Sequence, residues 1–84
     1  MVSLLKGGLA MLQYVRINYF RSRNVYIDGV LTGKTNVILR VDEGTHIFDL
    51  GPNQNYTPSS IRKKVTRTSA LRPMEFDFEY AGWD

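Results

Sequence analysis

Few side chains in this sequence could do chemistry, and no working set of them is apparent. His46 is the only histidine. A general base or metal ligand needs partners, and the nearest in sequence, Asp42 and Glu43, would give one imidazole with two turn carboxylates, a poor site. On a strand where it shares a face with Phe48 and Leu50, His46 is expected to pack at the rim of a core. Glu75, Asp77 and Glu79 recur at every second position, which on a strand separates them by about 6–7 Å. That spacing fits paired acid–base carboxylates or a cation site. The basic run Arg62, Lys63, Lys64 and Arg67 points instead to a salt-bridged, solvated face. The absence of cysteine removes thiol catalysis, disulfides and Cys-based zinc sites together. Ser59, Ser60 and Ser69 lack an activating base. Asp28-Gly29 and Glu43-Gly44 lack the repeated oxygen ligands of a calcium loop, and the glycines are too scattered to cradle a phosphate. The expectation is a non-enzyme with no catalytic residue, cofactor or metal.

Binding chemistry is better represented. Arg16, Arg21 and Arg23 are interleaved with Tyr14, Tyr19, Phe20 and Tyr26. Such a pattern can form a basic, aromatic surface for nucleic acid. Against that, Tyr19 fits a core face, and Glu75, Asp77, Glu79 and Asp84 offset the positive field. Tyr14, Phe20 and Tyr26 fall on the polar faces of their strands, where a contiguous aromatic set would mark an interface. The polar stretch 61–68 could accept a partner strand at a sheet edge. Trp83 could dock on the fold or on a neighbouring subunit. The expected surface is therefore Tyr14, Arg16, Phe20, Arg21, Arg23, Tyr26 and Trp83. Its expected partner is a protein or a second copy of the chain, with a glycan also considered and nucleic acid as the alternative.

The elements that must position these residues follow from size and pattern. The 84 residues suffice for one domain, and an apolar fraction of 43% with five Tyr, four Phe and one Trp can fill one core. The formal charge is +3. No stretch reaches the ~18–20 apolar residues that span a bilayer. The opening MVSLLKGGLAML is broken by Gly7 and Gly8 and does not read as a cleaved signal. Residues 1–11 are expected to be a poorly ordered extension, with Met11 as an alternative start, and 12–84 a single domain. A cytoplasmic location is slightly favoured on this basis.

From Leu12 onward the period is two. Val15, Ile17 and Tyr19 share one face, with Arg16 and Asn18 on the other. After 24–27, Asp28-Gly29 is a tight-turn signal, since glycine accepts positive φ without a Cβ clash. Gly33-Lys34-Thr35 predicts a second bend. Val37, Leu39 and Val41 face one way, and Asp42-Glu43-Gly44 predicts a hairpin into 45–50 with Gly44 at positive φ. Residues 61–68 predict an edge strand or a bulge, because Lys63 shares a nominal face with Ile61 and Val65. In 74–80, Met74, Phe76, Phe78 and Tyr80 alternate with the three acids, and pairing with the basic strand predicts an antiparallel final hairpin. Six or seven short strands without a helix predict a small antiparallel β-sandwich.

Val25-Tyr26-Ile27-Asp28-Gly29, Gly33-Lys34-Thr35 and Glu43-Gly44-Thr45-His46, followed by Asn55-Tyr56-x-Pro58, resemble the PEGA domain family. The similarity covers residues 13–80 and is densest over 25–50. Asn36 stands where a proline commonly follows the threonine, and Asp42 and Thr45 flank Glu43-Gly44 where the name-giving pattern has Pro and Ala. The resemblance implies a small antiparallel β-sandwich serving as a non-catalytic module, often within larger extracytoplasmic or surface proteins of bacteria and archaea.

Overall fold

In the computed structural model, which describes residues 11–82, the two-residue alternation becomes a set of short strands with no helix among the described residues. They are β1 (Leu12–Asn18), β2 (Asn24–Ile27), β3 (Val30–Lys34), β4 (Ile38–Asp42), β5 (Gly44–Asp49), β6 (Tyr56–Thr57), β7 (Ile61–Val65), β8 (Met74–Asp77) and β9 (Glu79–Tyr80). The count exceeds the expected six or seven because β3, β6 and a separate β9 are added. A three-stranded sheet in the order β4-β1-β8 packs on a four-stranded sheet in the order β3-β2-β5-β7, and β6-β9 forms a small two-stranded sheet. The protein is an all-β sandwich. The proposed extension over residues 1–11 and Trp83 fall outside the described residues, except for Met11.

The alternation of each strand decides what the core contains. Val15, Ile17 and Tyr19 from β1 and its end, Val41 from β4 and Phe76 from β8 face Val25, Ile27, Phe48 and Val65 from β2, β5 and β7. Leu50, Tyr56 and Phe78 extend the same cluster. Phe48 is fully buried and its ring centroid lies 4.7 Å from that of Phe76. Each such side chain contributes about 1.5–3 kcal/mol through burial.

Asp28 and Gly29 form the two-residue turn between β2 and β3, with φ of 54° and 82° and Ile27 paired to Val30. Two positive φ values in succession are what a type I′ turn demands, and Asp tolerates the first. The second bend lies later than expected. Gly33 and Lys34 remain in β3, beyond a register shift, and the chain turns at Thr35-Asn36, where Asn36 has φ 68°. Gly33 instead makes room for Leu39, since a Cβ there would stand 2.5 Å from Cδ2 at the end of that side chain and push it aside.

Two expected hairpins are absent, for the same physical reason. Gly44 has a positive φ of 134°, but β4 pairs with β1 whereas β5 pairs with β2 and β7. Residues 42–44 therefore carry the chain from one layer to the other. Crossing lets Val41 and Phe48 approach the core from opposite sheets. Likewise β8 does not pair with β7. It lies parallel to β1, with Val15 opposite Met74 and Ile17 opposite Phe76, so the sandwich is antiparallel at every other ladder among the described residues. A cross-strand ion pair contributes about 0.2–1 kcal/mol, and a buried aromatic several times that. Placing Phe76 and Phe78 in the core outweighs matching the acidic strand to the basic one.

Candidate interaction surface

The expected surface residues separate into three groups. Tyr14 and Arg16 lie half-buried on the outer face of β1, opposite Arg40 and Ile38 of β4. Arg16 donates from Nε to Asn18 Oδ1 at 2.9 Å, and Asn18 Nδ2 donates to Glu75 at 3.1 Å and Asp77 at 2.9 Å. The acids 75 and 77 thus sit beside an amide on the outer face, and no basic strand adjoins them as the sequence suggested.

Arg23 and Tyr26, both half-buried, are engaged in contacts within the chain. Arg23 Nη1 donates to Asn55 Oδ1 at 2.6 Å, and Nη2 donates to the carbonyls of Leu50, Pro52 and Asn53 at 3.3, 3.1 and 2.9 Å. Its guanidinium carbon lies 5.0 Å from the Tyr56 ring centroid, within cation–π range. One planar fork therefore gathers three carbonyls of a polar loop, with the Asn53 carbonyl also accepting from Asn55 N at 2.9 Å. Tyr56 reinforces this loop by accepting from Leu50 N and donating to the Gly51 carbonyl at 2.8 Å. Burial, foremost, pushes the Tyr56 hydroxyl above its usual pKa. Tyr26 covers Gly51, whose φ is 72° and whose missing Cβ would collide with the Tyr26 ring. An intramolecular contact thus occupies part of that aromatic ring.

Phe20 and Arg21 do come together, just past the C-terminal end of β1. Phe20 is 64% exposed, and Arg21 holds its guanidinium carbon 4.4 Å from the Phe20 ring centroid. Tyr80 of β9 completes the group, 5.4 Å from Phe20 and 5.7 Å from Arg21. Buried Tyr19 supports Phe20 from behind in an edge-on contact at 5.1 Å. The result is an apolar plate with a charged fork over it, able to take a flat or aliphatic group together with an anion. Tyr80 was expected on the core face of the last strand. The break between β8 and β9 brings it to this surface, and alternation alone carries no sign of that break.

His46 sits at the rim as expected, but with a partner the spacing did not reveal. Its Nδ1 is 2.6 Å from Asp28 Oδ2 and its Nε2 is 2.7 Å from the Asp42 carbonyl oxygen. Both neighbours are acceptors, so both ring nitrogens donate only in the protonated imidazolium. Asp28 also accepts from Ile47 N through Oδ1 at 2.9 Å. Pairing of Ile27 with Phe48 is what brings the turn residue against β5. Burial works against the charge on His46, but the hydrogen bonds to Asp28 and Asp42 and their charges outweigh it and raise the imidazole above its ordinary pKa. The bond from His46, foremost, holds the Asp28 carboxyl below the usual range. Among the described residues no three His, Cys, Asp or Glu side chains converge as a metal site. Nor is any helix among them long and apolar enough to cross a membrane.

Comparison of the chain with models of known protein families, with curated proteins and with solved structures found no match.

Proposed function

We propose that this chain is a non-catalytic binding module of PEGA-like type that recognises a protein partner through the Phe20–Arg21–Tyr80 group. The observation that carries this is Phe20 itself: a large ring, 64% exposed, with a guanidinium held 4.4 Å above it. Leaving such a ring in water forgoes a burial contribution of about 1.5–3 kcal/mol, which a partner would recover. Aromatic and arginine side chains are also the types that carry most interface energy. The fitting partner segment places an aliphatic or aromatic side chain beside a carboxylate. Support for kinship with PEGA domains comes from the Ile-Asp-Gly turn at 27–29 and the sandwich architecture, whereas Gly44 crosses between layers instead of closing the hairpin that the resemblance implies.

Peptides selected against the protein from a random display library provide the test. Affinity for the strongest binder should fall about tenfold or more, some 1.4 kcal/mol, in both Phe20→Ala and Arg21→Ala. Both variants should melt like the parent. Amide shifts on titration should centre on residues 19–21 and 80. Unchanged affinity in the two variants would refute the assignment. So would preferential binding of single-stranded DNA that collapses with added salt, the signature of bases stacking on the same ring.

A further inference from the structure

We infer that two copies of this chain associate through the flank formed by β7 and β8, with β7 of each copy pairing to β8 of the other. This surface is separate from the Phe20 group, so the two assignments stand or fall independently. Each strand ends its sheet, β7 paired only to β5 and β8 only to β1 among the described residues. Both therefore present a row of open backbone donors and acceptors.

The two edges lie on the same side of the sandwich. Phe76 of β8 packs in a tilted contact against Phe48 of β5, the neighbour of β7. Thr68, just past β7, accepts from Tyr14 N at 2.7 Å and donates to Gln13 Oε1, tying that end to β1, the neighbour of β8. A two-fold axis along this flank makes β7–β8 contacts twice over, the self-complementary arrangement of a closed dimer.

Charge decides which edges can meet. Arg62, Lys63 and Lys64 of β7 are all exposed, as are Glu75 and Asp77 of β8. The ion pair found among the described residues is His46–Asp28, so neither row has an opposite charge at salt-bridge distance, although Glu75 and Asp77 accept from the Asn18 amide. The fold left these charges unmatched when it sent β8 to β1. Arg62 and Lys64 share one face of β7, opposite Ile47 and Thr45, and Glu75 and Asp77 share one face of β8, opposite Arg16 and Asn18. An antiparallel register with Lys64 opposite Glu75 and Arg62 opposite Asp77 matches both pairs at the two-residue spacing. It also sets Val65 beside Met74. Pairing β7 with β7 would oppose cations, and β8 with β8 would oppose carboxylates, so the sequence disfavours both alternatives.

Sedimentation of the full chain from micromolar to millimolar concentration reads the association directly. The parent should form a dimer whose dissociation constant rises with salt. Arg62→Glu with Lys64→Glu leaves both edges acidic, and Glu75→Lys with Asp77→Lys leaves both basic. Each double variant should be monomeric at concentrations about tenfold above the parent's dissociation constant. Mixed in equal amounts, they should form a heterodimer, because acidic β7 then meets basic β8 and acidic β8 meets basic β7. Recovery in the mixture also shows that both variants are folded. A parent that is monomeric throughout, a dimer indifferent to both reversals, or a mixture that stays monomeric would overturn the inference.

Discussion

Raising the pH should loosen this protein at one point, and removing His46 should abolish that effect. His46 is protonated more readily in the folded chain than in the unfolded one, because Asp28 and the Asp42 carbonyl both accept from its ring. A raised pKa contributes stability that is fully present below the unfolded value near 6.5 and is lost as pH climbs through the folded value. Asp28 shifts the other way, so its contribution is present above about 3.8 and is lost as pH falls through its lowered folded value. The link is therefore strongest between roughly pH 4 and 6.5. A hydrogen bond to a charged partner contributes about 1.5–3 kcal/mol when well covered. The Asp28 side chain is 50% exposed, so solvent screening reduces this to about 1 kcal/mol. For a domain of this size that corresponds to about 4–8 °C in melting temperature. Thermal melts of the parent and His46→Gln at closely spaced pH values provide the assay, and their difference cancels the titrating groups that His46 does not touch, leaving His46 and, at acid pH, Asp28. The stabilisation of the parent over the variant should be about 1 kcal/mol at pH 5.5 and should vanish well above neutrality. A difference that is constant from pH 5.5 to 9 would show that the geometry around His46 has been misunderstood.

Two further outcomes follow from the loop after β5. Replacing Arg23 by lysine keeps the charge but not the fork that reaches Asn55 and three carbonyls, and should cost about 2–3 kcal/mol in urea unfolding. A loss below about 0.5 kcal/mol would mean that the loop carbonyls are satisfied without it. Gly51→Ala should destabilise by about 1–3 kcal/mol through its positive φ and the collision with Tyr26. Adding Tyr26→Ser should relieve the steric part and leave the backbone part, so equilibrium unfolding of the four-member cycle should be non-additive; strict additivity would exclude the collision.

Local features were legible in the residues. Alternation identified the buried positions of β1, and Asp28-Gly29 identified the turn between β2 and β3, because both depend on interactions a few residues apart. Lys63 likewise marked β7 as an edge strand. Partner choice was less legible. The basic and acidic strands looked like neighbours, yet the apolar face of 74–78 drew β8 to β1. Phe20 and Arg21 could be named as candidates from residue type, and Phe20 also from its place on the polar side of the alternation. Arg23 and Tyr26 could not be separated from them, since what covers those two is the loop at 50–55, distant in sequence.

The amino-acid sequence by itself determined an all-β chain with no cysteine chemistry, which side chains face inward on most strands (Tyr80 excepted), and where the tightest turn lies. These follow from the pleat, whose period is built into the backbone. The tertiary structure alone decided which strands became neighbours, that Asp28 reached His46, and that Phe20, Arg21 and Tyr80 share one surface. Such contacts join residues far apart along the chain, and they are selected by how much apolar area the whole assembly can bury.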